Sequence, residues 1–385
     1  MSRRAAPVEI PGLDVARAKR YNRTRLTVLI ASTGWSVAKM IWFARGQRSA
    51  RLRRRTAAVV PDARLAAPAY FGVAALLSWL SSLPVAYLGD HRVERRYDLT
   101  KQSVASWLGD QLKGLGVGLV LQIPLLAGTF AVIRRRPRDW WLVLSAATVP
   151  LTVLLVNLAP VLIMPIFNRF ECLQDAGLAD RVEALADRAG VPIAGVFAMD
   201  MSRQSEKPNA FFTGIGNTKR IVLGDTLVDK FPPEEVEGVV AHELGHQVHG
   251  DIWRLIAFGT GLTLASAYAL YRLAPPLVQG TAKETGVREL GDEASLPLLA
   301  LVGTAVGFAA SPIQAAFSRA IERRTDRYAL GLTRNGTAYA SAMERLAALS
   351  LTDPDPPAPV VFFLYSHPPV GERIRAAREF VQTAG

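Results

Sequence analysis

The chain has one cysteine, Cys172, in 385 residues. That excludes an internal disulfide and a metal site built from several thiolates, and Cys172 reads as a small buried or interfacial hydrophobe. Acid is in short supply too: 33 Asp and Glu stand against 45 Lys and Arg, a formal net charge of +12. Charged residues make up only 20% of the chain and mean hydropathy is +0.18, whereas soluble domains run near 25% charged. Intrinsic disorder, collagen-like structure and a small disulfide scaffold are excluded. There are only five histidines, so any clustering among them is informative.

What the chain does have is apolar sequence in long runs: Leu26 to Ala44, Ala66 to Leu88, Leu115 to Ile133, Trp140 to Phe167, Trp253 to Leu273 and Leu296 to Phe317. Each approaches or exceeds the roughly 20 residues that cross hydrocarbon as a helix, so a mainly α, polytopic membrane protein of about six spans is expected. No small-residue cleavage site ends the first run, which reads as a retained span. Trp140 and Trp141 fit an interfacial aromatic belt. An even number of spans puts both termini on one side, with segments 89–113 and 168–252. The basic N-terminus, Arg92, Arg95, Arg96 and the Arg-rich C-terminus assign that side to the cytoplasm. Arg48, Arg51, Arg53, Arg54 and Arg55 in the 46–64 loop, and four arginines in 134–138, pull the other way. Arginines beside apolar runs meet anionic lipid head groups, at about 1 kcal/mol each. No motif supports nucleic-acid binding.

Residues 169–252 form the one long polar stretch. Leu178 to Ala189 has helical spacing, whereas Pro192 to Ala198, Ala210 to Gly214 and Lys219 to Leu223 read as short strands. Gly214-Ile215-Gly216-Asn217 reads as the hairpin connection between the last two. Pro232-Pro233-Glu234-Glu235 opens a helix, with proline in the first turn and acids at its positive end. Residues 274–295 read as a polar loop, and Pro354 to Pro359 as a connector before a short terminal helix. The chain therefore divides into a membrane part of about four spans (1–168) and a second part (169–385) that carries the chemistry and the spans at about 253–273 and 296–317.

That chemistry starts at His242-Glu243-Leu244-Gly245-His246. Histidines at i and i+4 share one helix face and can reach one ion, and Glu243 stands where it can take a proton from water without being a ligand. Two histidines leave a zinc site short of its third protein ligand. His249 is nearest in sequence, but the metzincin pattern has glycine there and its third histidine where this chain has Ile252. Glu322 is the stronger candidate, in Ser318-Arg319-Ala320-Ile321-Glu322-Arg323-Arg324-Thr325-Asp326, which continues the sixth run. Asp326, one turn on, is placed to accept a ring N–H from a ligand histidine or to orient Glu322. His246 precedes Trp253 by seven residues, about 10 Å of helix, and Glu322 follows Phe317 by five. Two spans thus deliver ligands from the same end of the bundle, which suits substrates in or beside the bilayer.

These residues resemble the type I CAAX prenyl proteases, membrane zinc metalloproteases of the HExxH group. The resemblance runs from about residue 10 to 380. It takes in His91 to Thr100, Ala159 to Phe170, the stretch 209–228, Ser318 to Asp326 and His367-Pro-Pro-Val-Gly-Glu-Arg373. It implies a chamber enclosed by the helices, with one Zn²⁺ per chain on its cytoplasmic wall in a small α/β metalloprotease domain. It also implies His242, His246 and Glu322 as ligands, Glu243 and His367 as catalytic residues, and Asp326 and Arg373 as supports. An edge strand at Asn209, Ala210 and Phe211 would then bind substrate. The eukaryotic enzymes of this type have seven spans, so against them the six runs counted here imply a chain without the first.

The function that follows is a membrane-embedded zinc endopeptidase acting on membrane-associated or lipidated peptides and proteins. Arg, Ala, Gly and Leu usage suggests a high-GC bacterial genome, hence a bacterial cell membrane, where quality control or peptide processing fits better than prenyl-protein maturation. The competing reading is a non-proteolytic scaffold or carrier that binds anionic lipids, against which the intact His242, Glu243, His246 and Glu322 set argues.

Overall fold

In the computed structural model, residues 8–214 and 219–384 are described. The turn expected over Gly214 to Asn217 therefore lies, from Ile215 on, outside the described residues. The N-terminal part is helical. Helix α1 (Val15–Ala44) starts where the Asp14 carboxylate accepts from Arg17 N, filling an orphan donor of the first turn. Gly46 and Gln47, both at positive φ, turn the chain into α2 (Arg48–Val59). Asp62 and Ser103 cap α3 (Ala63–Ala86) and α4 (Val104–Arg135) in the same way as Asp14, and α5 (Trp140–Leu158) follows.

The polar stretch folds as expected in kind, with an additional strand. β1 (Phe170–Cys172) precedes α6 (Ala176–Arg188), β2 (Val196–Met199), β3 (Ala210–Thr213) and β4 (Arg220–Gly224). The sheet order is β1-β2-β4-β3; β2 and β4 are parallel, and the other pairs antiparallel. Next come α7 (Pro233–Val248) and α8 (Asp251–Gly280), joined through Gly250 in the left-handed region at φ 61. Then follow α9 (Leu296–Thr333), α10 (Gly336–Ser350), α11 (Ala358–Leu364) and α12 (Val370–Ala384). Between sheet and helices sits one core that includes Val182, Ile221, Leu223, Val236, Val240, Leu244, Tyr339 and Ile374, all inaccessible to solvent. Burying each large aliphatic side chain contributes about 1.5–3 kcal/mol.

Five helical segments are long and apolar enough to cross a membrane by length and composition: Val15–Val59, Arg64–Arg96, Val104–Arg135, Trp140–Phe167 and Glu293–Thr333. Many of their apolar side chains face outward, among them Leu77, Val120, Leu121 and Phe308, a surface suited to lipid. The remaining expected run, Trp253 to Leu273, the fifth in chain order, is also one continuous helix, α8. Arg254, Thr260, Thr263, Ser266 and Tyr268 dilute its apolar character below that of the other five.

Three expectations are corrected. Cys172 is exposed, because β1 pairs only with β2 and lies at the sheet edge. Segment 274–295 is not wholly loop: α8 runs through Pro275 and Pro276 to Gly280, and Ala282–Thr285 adds a helical turn. The chain after the Pro-rich connector forms two helices, α11 and α12, rather than one.

Two features place the site. Helix α9, 38 residues long or about 57 Å, continues past its apolar stretch and packs along α7. A polar clip ties the first helices to the chain leading into β3: Lys207 Nζ lies 2.8 Å from Glu94 Oε2 and donates to Tyr21 Oη at 2.8 Å, while Tyr21 donates to Glu94 Oε1 at 2.6 Å.

Candidate metal centre

Helix α7 begins with Pro233 and has Glu234 and Glu235 in its first turn, where the helix dipole favours acid. Its last two turns carry His242, Glu243 and His246. Gly245 is required there by close packing against α9: a Cβ at this position would come within 2.9 Å of Thr325 Cγ2 and 3.0 Å of Tyr328 Cδ1. The absence of that side chain lets α7 approach α9 closely enough for its histidines to meet Glu322.

His242, His246 and Glu322 each offer one donor atom within 4.8 Å of the others, so the group could hold a metal ion. Both histidines present Nε2 to the same carboxylate: His242 Nε2 is 3.1 Å from Glu322 Oε2 and His246 Nε2 is 3.7 Å from Glu322 Oε1. Glu322 Oε2 is buried and has no partner in hydrogen-bonding geometry. A buried, unsatisfied carboxylate oxygen costs folding free energy, and a cation between the three side chains would offset it. The two nitrogens and one oxygen are a donor set that suits zinc.

The other ring nitrogens are also engaged. His242 Nδ1 lies 2.9 Å from Asp326 Oδ1, and His246 Nδ1 lies 3.0 Å from Asp251 Oδ2. Each carboxylate favours the tautomer with its proton on Nδ1, leaving both Nε2 atoms free to bind an ion. Asp326 is in turn gripped by Arg373, through Nε at 2.9 Å and Nη2 at 2.7 Å, and accepts from Tyr339 Oη at 2.6 Å. Asp251 is ion-paired with Arg324. Burial works against a charged His242 ring, but Asp326 and Glu322 outweigh it and raise its pKa to about 9. Such a ring carries a proton at neutral pH, and a metal ion would displace it.

Among the described residues Glu243 has neither a hydrogen bond nor an ion pair. Burial raises its pKa, against the opposing charges of His242 and His246, which makes the carboxylate a stronger base than an exposed glutamate. His367 reaches the same place from the turn before α12: its Nε2 is 3.4 Å from Glu322 Oε2, and Nδ1 is 2.9 Å from Ser366 Oγ. Asn209, Ala210 and Phe211 lie at and just before β3. This is an edge strand, paired only with β4, and it packs against α7.

Thus His242, His246, Glu322, Asp326, His367 and Arg373 lie together, brought there by α7, α9, α12 and the turn before α12, whereas for Asn209, Ala210 and Phe211 the structure gives only an edge strand packed against α7. His249 stands apart, its ring against Tyr328 at 5.3 Å. Sequence reading missed Asp251, Tyr339 and Arg324. Asp251 had a local signal, an acid just beyond a glycine that can reverse the chain after His246. Tyr339 and Arg324 had none. His91, from the segment that carries part of the resemblance, is buried against Tyr87 and Trp107 and stands apart from the metal group.

Comparison with known proteins agrees with this arrangement. The family model for peptidase family M48 matches residues 173–381, and the model described as CAAX prenyl protease N-terminal, five membrane helices, matches residues 8–169. An uncharacterized metalloprotease of Bacillus subtilis, YhfN, is 32% identical over 331 residues, which are 86% of this chain and 78% of that protein. CAAX prenyl protease 1 of Saccharomyces cerevisiae is 33% identical over 207 residues, which are 53% of this chain and 46% of its own. The crystal structure of S. mikatae Ste24p has the same fold, with a TM-score of 0.86, 24% identity and coverage of 98% of this chain and 92% of that one. With a family model spanning more than half its length and a group of side chains able to hold a metal, the chain belongs to peptidase family M48 and is a multi-pass membrane metalloprotease.

Proposed function

We propose that the protein is a zinc endopeptidase that cleaves peptide bonds in membrane-associated or lipidated substrates. The observation that carries this reading is the convergence of His242 Nε2 and His246 Nε2 on Glu322, with each Nδ1 held by its own aspartate. His242, His246 and Glu322 would hold one Zn²⁺. A zinc ion there supplies Lewis acidity to polarise the scissile carbonyl and acidify water.

The remaining steps fall to the chain's own residues. Glu243, unpaired and with its pKa raised, takes the proton from the attacking water and passes it to the leaving amine. His367, exposed and close to Glu322, donates a hydrogen bond to the oxyanion that develops on the former carbonyl oxygen. Arg373 and Tyr339 keep Asp326 on His242, while Arg324 keeps Asp251 on His246. An extended substrate adds to the free edge of β3, where backbone pairing aligns the scissile bond with little selection of sequence.

Two of the relatives matched along the chain, from yeast and Arabidopsis thaliana, are named CAAX prenyl protease 1 or its homolog. That supports a substrate with a lipidated C-terminus. The composition that points to a bacterial source favours instead membrane-associated peptides without a prenyl group, with the site facing the cytoplasm. The test is cleavage of a quenched-fluorescence peptide by the full chain in detergent, treated with a chelator and then resupplied with zinc. Loss and recovery of cleavage are expected; cleavage unaffected by the chelator would contradict the reading. Running prenylated and unmodified forms of the peptide side by side separates the two substrate classes.

A further inference from the structure

A second site adjoins the metal centre but faces outward. Between α8 and α9 lies a groove of about 490 Å³ lined by Arg254, Phe258, Phe317, Ile321 and Arg324 among others. It has a charged end and an apolar end. Phe258 and Phe317 stack with ring centres 3.9 Å apart and form the apolar end. The two guanidiniums form the other.

Arg254 is exposed and, among the described residues, has no hydrogen-bond acceptor and no acidic partner. Arg324 uses one Nη on Asp251, but its Nε is buried without a partner. Two like charges lining one groove repel each other, and an unsatisfied guanidinium N–H has a free-energy cost. An anion between them relieves both. Trp253, 59% exposed beside Arg254, is an amphipathic ring of the kind that settles at the head-group level of a bilayer. From that level the groove runs one to two turns along α8 and α9, toward the apolar stretches of both helices.

We propose that this groove binds one anionic phospholipid, its phosphate held by Arg254 and Arg324 and the first carbons of an acyl chain lying on Phe258 and Phe317. Basic pockets between membrane helices recognise acidic lipid head groups by this chemistry. Arg324 also holds Asp251, which holds His246, so the head group and the metal centre share one arginine. The proposal does not depend on the peptidase reading, because it is tested by binding alone.

The experiment reconstitutes the full chain in nanodiscs of phosphatidylcholine mixed with phosphatidylglycerol and measures retained lipid by native mass spectrometry. The wild-type chain is expected to retain one phosphatidylglycerol in preference to phosphatidylcholine. Arg254→Gln should weaken that preference about fivefold, the loss of one guanidinium contact. Arg254→Lys should keep most of it, and Arg334→Gln, which alters an exposed arginine past the far end of α9 from the apolar runs, should leave it unchanged. An excess of inorganic phosphate should not release the lipid, since the acyl chain contributes to binding. Equal retention of the two lipids by the wild-type chain would overturn the proposal. So would a preference indifferent to Arg254→Gln, or release by inorganic phosphate.

Discussion

Asp251 Oδ2 stands 3.0 Å from His246 Nδ1, mirroring Asp326 Oδ1 at 2.9 Å from His242 Nδ1. The two histidines of one helix are thus oriented by aspartates from two different helices, α8 and α9. Removing such a carboxylate typically costs 10–100-fold in metal affinity. Asp251→Asn is therefore expected to weaken zinc binding by about that factor while leaving the helical content unchanged, as read by competition with a fluorescent chelator and by circular dichroism. Unaltered affinity would mean that Asp251 serves packing alone.

Glu243→Gln removes the proposed base and keeps the shape. Zinc content should stay at one per chain and peptidase activity should fall about 10²–10⁴-fold. Elemental analysis of the same preparation used for the assay separates loss of the base from loss of the metal.

Gly245→Ala tests the close approach of α7 and α9. The new methyl group meets Thr325 and Tyr328 at 2.9 and 3.0 Å, and forcing it in should cost about 1–3 kcal/mol. Because the overlap lies beside His246, metal affinity should fall together with thermal stability. A variant with unchanged midpoint and unchanged zinc retention would show that the helices have slack there.

Proton release on metal binding reports on His242. Its pKa in the metal-free chain is raised to about 9, above that of the unfolded side chain. At neutral pH the ring is protonated, and zinc must displace about one proton to reach Nε2. Calorimetric titrations in buffers of different ionisation enthalpy should show that release near pH 7. It should fade as pH rises through about 9, with apparent affinity climbing over the same interval. No buffer dependence near pH 7 would contradict the assignment.

What the sequence made legible follows from distance along the chain. His242, Glu243 and His246 fall within two turns of one helix, so their spacing alone placed them on one face. Asp326 was readable from Glu322 by the same rule, one turn apart. Glu322 itself comes from a helix some 80 residues away, and only the composition of its segment and the family resemblance pointed to it. Tyr339 and Arg324 meet their carboxylates solely through tertiary packing, and no local pattern announces them. The arginines that blurred the orientation signal have a similar explanation. Arg53 pairs with Asp292 at 3.1 Å and Arg134 with Glu293. Acids from the 274–295 segment thus offset part of that charge, a pairing that exists only once α2, α4 and the chain before α9 are brought together.

The most direct measurement of the central claim is an anomalous difference map recorded at the zinc edge from crystals of the full chain, alongside metal analysis of Glu322→Ala. One peak is expected within bonding distance of His242 Nε2, His246 Nε2 and a Glu322 oxygen, with the variant depleted of zinc. A peak elsewhere, or zinc that stays stoichiometric in Glu322→Ala, would contradict it.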